Sequence, residues 1–232
     1  MIPLHDDNRV SITPYVTYIL IAGCVLVFIW ELSLAGQLQT VFYSLGVVPA
    51  VLIGGGQLPP EVVLIPAWLS IFTSMFMHGG WMHLLGNVLY LWVFGNNIED
   101  AMGHGKFITF YLLCDMAAVF AQAIPDPDSA VPMIGASGAI SGVLGAYLLL
   151  YPHAKVLMAI PLWIIFYTVR VPAIVVLLLW FGMQLLSSYM TGEQEGGVAF
   201  GAHVGGFIAG IVLIPFFRNN RHPLHFLWLR WW

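Results

Sequence analysis

Residues 15–34 read YVTYILIAGCVLVFIWELSL, one long apolar run. Its length matches the roughly 20 residues that a helix needs to cross a hydrocarbon core. No small-residue cleavage site follows it, so it reads as a retained first span and not as a removed signal peptide. The composition extends that reading to the whole chain. Of 232 residues, 60% are apolar and 8% charged, against roughly 25% charged in a soluble domain, which excludes a sizeable soluble domain. Further apolar runs occupy residues 81–98, 107–124, 136–151, 172–190 and 199–217. The expectation is an all-α, six-span bundle forming a single integral membrane domain over residues 1–232. The net charge of -4 is thinly spread, with no basic patch to attract nucleic acid. Cys24 and Cys114 lie inside apolar runs and offer neither a disulfide framework nor metal-ligand spacing. No cofactor or metal is expected.

Two segments resist the spanning pattern. Residues 35–80 are apolar but broken by Gly54, Gly55, Gly56, Pro59, Pro60 and Pro66, which predicts a partly membrane-embedded or interfacial first loop. Residues 156–169 are too short to cross and contain Pro161, which predicts a loop or interfacial helix. Basic residues test the count, because Lys and Arg in short loops collect on the cytoplasmic side. With six spans, Arg9, Lys106, Lys155, Arg170, Arg218, Arg221 and Arg230 all fall on one side. The opposite loops, 35–80, 125–135 and 191–198, carry only Glu61, Asp126, Asp128, Glu193 and Glu195. A seventh span at 156–169 would separate Lys155 from Arg170 and destroy the segregation. Both termini are therefore expected in the cytoplasm, in a multi-pass protein of a prokaryotic cell membrane.

That topology gathers costly intramembrane polar groups at one depth. His83 and Asn87, spaced i, i+4 and so on one helix face, lie in the first two turns of span two. Ser137 lies at the outer end of span four and His203 about one turn into span six. All four fall within roughly 10 Å of the outer interface at 1.5 Å per residue. The stripe around Ser137 (Gly135, Ala136, Gly138, Ser141, Gly142, Gly145) and the one following His203 (Gly206, Gly210) are small, which lets helix backbones approach closely in lipid. The chemistry these residues suit is serine hydrolysis. His203 acts as base for Ser137, while the Ser137 backbone N–H, at a helix N-terminus, and the side chains of His83 and Asn87 meet the oxyanion. No acid is placed as a third member, so the expectation is a Ser-His dyad. The G-x-S-x-G elbow of soluble hydrolases is missing, since position 139 is Ala.

These residues also resemble the rhomboid family of intramembrane serine proteases. The likeness is carried by His78-Gly79-Gly80-Trp81-Met82-His83-Leu84-Leu85-Gly86-Asn87 with Gly95 and Glu99, by Gly135-Ala136-Ser137-Gly138, and by Ala202-His203-Val204-Gly205-Gly206 with Gly210. It runs over about residues 71–217. The resemblance implies Ser137 as nucleophile, His203 as base, His83 and Asn87 as oxyanion donors, and transmembrane protein substrates cut near the outer membrane boundary. It also implies a six-helix bundle with a water-filled cavity open to the outside. Span five is implied to gate lateral entry, with Trp180 and Phe181 as gate candidates. Two features depart from the family. The first-loop Trp-Arg pair is missing, since no Arg occurs between Arg9 and Arg170 although Trp68 is present. Ser141 stands one turn after the nucleophile, where several relatives place an aromatic ring against the catalytic His.

Other residues carry weaker signals. Asp115, mid-span three, reads as a structural carboxyl before a proton relay. His78 reads either as a cavity-lining group or, in preference, as a structural tie between the first loop and span two, and Glu99 as a cytoplasmic group making capping or inter-loop hydrogen bonds. Gln122 and Gln184 suit either helix contacts or substrate contacts. His104, His153, His222 and His225 accompany the basic residues, and residues 228–232 read as an amphipathic anchor. The competing function is a non-proteolytic binder of transmembrane helices. A transporter lacks the inverted repeats it needs, and neither His78 nor His83 begins the H-E-x-x-H of a metalloprotease.

Overall fold

The structure, a computed structural model, describes residues 2–34, 36–162, 165–190 and 199–225. The outer loop expected at 191–198 and the anchor expected at 228–232 lie outside the described residues.

The chain opens with strand β1 (Ile2–Asp6), then helix α1 (Tyr15–Leu32). The first loop holds only short pieces, α2 (Leu38–Leu45), α3 (Pro49–Leu52) and α4 (Ser70–Thr73), the last flanked by single 3-10 turns. Next come α5 (Trp81–Tyr90) and α6 (Asn96–Met102), joined by a π-helical turn at Leu91–Gly95 into one rod. Helices α7 (His104–Ala123) and α8 (Ser137–Leu150) follow, then strands β2 (Lys155–Leu162) and β3 (Ile165–Pro172), and finally α9 (Ala173–Met190) and α10 (Phe200–Phe217). Among the described residues, α1, α7, α9 and α10 are each long and apolar enough to cross a membrane. The chain is thus a mostly helical integral membrane protein.

Helix α8 lies at the centre, with every residue after Ser137 buried. Glycine lets its neighbours come so close. A Cβ on Gly206 of α10 would strike the carbonyl of Gly138, and one on Gly210 would strike the Gly142 backbone. On α8, a Cβ on Gly142 would collide with Cys114 of α7. In lipid, such contact is the main attraction between helices. It fixes α10, and with it His203, against the N-terminal turn of α8.

The fold is not all-α. Residues 156–169, expected as a loop or interfacial helix, belong to a β-hairpin that runs in register from Lys155 opposite Pro172 to Leu162 opposite Ile165. β1 adds antiparallel to β2, completing a three-stranded sheet. The cause is a period of two. Val156 and Met158 are buried while Lys155 is exposed, and on β3 Val169 and Val171 pack on the core while Thr168 and Arg170 face out. Val, Ile, Thr and aromatic residues also favour a pleated, half-buried surface over a helix.

This sheet marks one end of the molecule. Asp6 Oδ2 accepts from the Tyr147 hydroxyl and from Asn97 Nδ2 at 2.5 and 2.8 Å, and Asp7 accepts from the Lys155 N–H at 2.8 Å. The N-cap of α1, Pro14, supplies no side-chain acceptor. Glu99 supplies it instead, accepting from the N–H groups of Val16 and Thr17 at 2.9 and 2.8 Å and from the Thr17 hydroxyl at 2.7 Å. These are the donors that a helix start leaves orphaned. Asn219 beyond α10 donates to the carbonyl of Ala101 at 2.7 Å. Arg9, Lys106, Lys155, Arg170, Arg218 and Arg221 are all carried by the segments that meet here.

Candidate active site

At the opposite end of α8, Ser137 is the first helical residue. The preceding turn is held by the Gly135 N–H donating to the Ser74 carbonyl at 2.9 Å. Gly135 has φ of 114°, a conformation rare for any residue with a Cβ. A Cβ there would also stand 2.6 Å from His83 Nε2. Glycine is thus required twice over, by the backbone turn and by the imidazole lying on it.

His203 Nε2 and Ser137 Oγ are 2.7 Å apart, hydrogen-bond distance for a hydroxyl and an acceptor nitrogen. The other ring nitrogen, Nδ1, is 2.7 Å from Gln184 Oε1 on α9. An amide oxygen only accepts, so Nδ1 carries the proton and Nε2 presents its lone pair to the serine. Trp180, one turn before Gln184, sets its ring 5.9 Å from the His203 ring at 36°, and Phe200 approaches edge-on at 6.3 Å. Ser141 takes no part in holding the imidazole. Its hydroxyl donates back to the Ser137 carbonyl at 2.6 Å, and its small side chain lies beside Gly206. In this chain the rings against the histidine come from Trp180 of α9 and from Phe200 at the start of α10.

The polar groups of α5 line the same cavity, of about 1060 Å³. The Gly79 N–H donates to His83 Nδ1 at 3.3 Å, which leaves the proton of a neutral ring on Nε2, the atom beside Gly135. Asn87 Nδ2 donates to the His83 carbonyl at 3.1 Å and would be 3.7 Å from a Cβ on Gly135. The structure therefore brings Ser137, His203, His83 and Asn87 to one cavity, as their depths along separate helices predict.

Trp180 lines that cavity, whereas Phe181 stacks on Phe207 at 4.5 Å. Gln122, also in the lining, accepts from the Ala202 N–H at 3.2 Å, within the first turn of α10. Asp115 is buried beside Gly138, and its Oδ2 has no hydrogen-bond partner among the described residues.

His78 is almost wholly buried, and it is not part of the lining. Its Nδ1 lies 3.1 Å from the Phe76 carbonyl and its ring 5.1 Å from that of His83. Burial, reinforced by His83, pushes its pKa down to about 4. Its N–H donates to both carboxylate oxygens of Glu31. Of this neighbourhood, Glu31 escapes a reading by sequence, and Gln184 is read there as a helix or substrate contact without its partner His203. Glu31 lies at the end of an apolar run, and an acid there is its only signal. Gln184 is one neutral amide in a hydrophobic helix, and only its i+4 spacing from Trp180 hints at a shared face.

Comparison with known proteins gives one family. The Rhomboid domain model matches residues 66–220. The rhomboid protease GlpG of Salmonella newport is 28% identical over 207 residues, covering 85% of this chain and 61% of that protein. The rhomboid protease GluP of Bacillus subtilis is 31% identical over 135 residues, 58% of this chain and 24% of its own length. The mitochondrial Rhomboid protein 1 of Saccharomyces cerevisiae is 37% identical over 94 residues, 39% of this chain and 27% of its own. The chain spans less than two thirds of each of these relatives.

Proposed function

The chain belongs to the rhomboid family, and we propose that it is an intramembrane serine endopeptidase that cuts transmembrane proteins in or next to their membrane segments. The observation that carries this reading is the 2.7 Å contact between Ser137 Oγ and His203 Nε2 inside a cavity that His83 and Asn87 also line.

The steps follow from these atoms. Ser137 Oγ attacks the scissile carbonyl as its proton passes to His203 Nε2. The oxyanion that forms takes hydrogen bonds from the Ser137 backbone N–H at the start of α8, from His83 Nε2–H and from Asn87 Nδ2. These donors are fixed in advance and need no rearrangement as charge develops. His203 then protonates the leaving amine, and a water activated by the same nitrogen hydrolyses the acyl-enzyme. The cavity supplies the room for that water.

The membrane arrangement belongs to the same proposal. Six spans are formed by α1, the α5–α6 rod, α7, α8, α9 and α10, with the sheet and both termini in the cytoplasm and the Ser137 end facing outward. The gathering of six basic residues at the sheet end supports this orientation. Substrate enters sideways past α9, where Trp180 stands at the cavity wall.

Reconstitution of the full chain with a single-span reporter tests the reading. Wild type is expected to cleave it, and Ser137→Ala and His203→Ala are expected to abolish cleavage while leaving the protein folded. Cleavage that survives either substitution overturns the proposal.

A further inference from the structure

We infer that Gln184 is a positioning residue for His203, so that the working unit of this chain is Ser137–His203–Gln184, with the third member supplied by the helix that flanks substrate entry. The inference rests on the proteolytic reading above and adds the group that sets the imidazole.

A histidine that serves as base must present a bare nitrogen to the serine and hold its ring still. In soluble serine hydrolases a buried carboxylate does this at Nδ1. Here Gln184 Oε1 stands at that place, 2.7 Å from Nδ1. Among the described residues no carboxylate reaches that nitrogen. A neutral amide also suits the setting, because a second charge in the membrane is costly.

The carboxamide acts together with Trp180, one turn away on the same face. The indole restrains the plane of the ring while the amide oxygen fixes its rotation and its tautomer. Ser141 is too small and is turned toward Ser137, so these two restraints come from α9, while Phe200 of α10 meets the ring only edge-on. That helix packs against α10 and more lightly against α8, and most of its length is exposed. An outward displacement of α9 would withdraw Gln184 and Trp180 together and release the imidazole. Catalytic alignment is thereby linked to the position of one lightly held helix.

Kinetics separate this from simple helix packing. With the full chain in vesicles and a single-span reporter, Gln184→Leu is expected to lower kcat by about 10- to 100-fold, less than the full worth of a general base, with KM changed by no more than about 2-fold. Labelling of Ser137 by a fluorophosphonate probe is expected to slow in parallel. Gln184→Glu restores an acceptor and places a negative charge on Nδ1–H. It should recover kcat at high pH and move the acid limb of the kcat profile upward, since a carboxylate favours the imidazolium. Of the titratable groups that line the cavity with His203, namely His83, Tyr90 and Asp126, it is His83 whose charge acts on its ring, so both profiles are measured again in His83→Gln to remove its contribution. Wild-type kcat and an unmoved acid limb in the two Gln184 variants overturn the inference. Should Gln184→Leu fail to fold, the acid limb of Gln184→Glu decides alone. A wild-type chain that neither labels nor cleaves refutes the proteolytic reading itself.

Discussion

Glu31 on α1 receives the backbone N–H of His78, 47 residues further along, on both carboxylate oxygens at 3.2 and 3.3 Å. This bond ties the end of the first loop to the first long helix just before α5 delivers His83 and Asn87 to the cavity. Glu31→Ala leaves a buried N–H without a partner, at a cost of about 1–3 kcal/mol. The expected result is a lower Tm in detergent and a fall in reporter cleavage. Glu31→Gln, which keeps one acceptor, should lose less of both. Equal Tm values for all three proteins would show that the bond carries no stability.

The same bond shows what the sequence conveys and what it conceals. Long helices were legible because twenty apolar residues have one common use. The meeting of Ser137, His203, His83 and Asn87 at one cavity was legible from helical rise and the alternating direction of successive apolar runs. The small faces of α8 and α10 predicted close approach, and Gly206 on Gly138 is that approach. The hairpin at Lys155–Pro172 escaped because an apolar run suggests a buried segment without revealing its period, and its partner strand β1 lies about 150 residues away. Glu31, and the partner of Gln184, escaped for another reason. Each acts on a group many residues distant, and no local spacing encodes such a meeting.

Gly135 makes a sharper prediction. Alanine there must adopt a φ of 114° and place its Cβ 2.6 Å from His83 Nε2. Backbone strain of this kind costs on the order of 1–3 kcal/mol, and the displaced imidazole loses its aim at the oxyanion. Gly135→Ala is expected to reduce kcat by at least about 10-fold while the protein still purifies as a folded species. Gly105→Ala is the control, because a Cβ at that position on α7 meets nothing and removal of a helix glycine stabilises by up to about 1 kcal/mol. A Gly135→Ala enzyme as fast as wild type would place His83 outside the chemistry.

His78 predicts a pH dependence of stability. Burial holds its pKa down at about 4 in the fold, against 6.5 for the free side chain. The folded chain therefore binds fewer protons here than the unfolded one. Its contribution is fully present above pH 6.5 and is lost as pH falls through 4, to an extent on the order of 3 kcal/mol. Asp6 in β1 runs the other way. Burial raises its pKa despite the hydrogen bond from Tyr147, so its contribution is greatest at low pH and is lost as pH rises through the folded value. The check is the difference in Tm between wild type and His78→Gln from pH 7.5 down to about 4. That difference should shrink with acid, and a constant difference would contradict a neutral buried His78.

Gly210 tests whether the helix contact beneath the site is what holds the Ser137–His203 distance. It lies seven residues after His203, two turns along the same face of α10, and an added Cβ would strike the Gly142 backbone. Backbone cannot step aside as a flexible side chain can, so α10 must move off α8 as a body. Gly210→Ala should therefore lower stability by about 1–3 kcal/mol, as overpacking does, and should also slow cleavage although it is remote from the reacting atoms. Gly182→Ala on α9, where a Cβ meets nothing, should leave cleavage unchanged and should not lower stability. If Gly210→Ala lowers Tm but leaves kcat intact, the alignment of Ser137 and His203 is maintained by the restraints at the cavity itself, with Gln184 and Trp180 sufficient to hold the imidazole when the helix beneath it shifts.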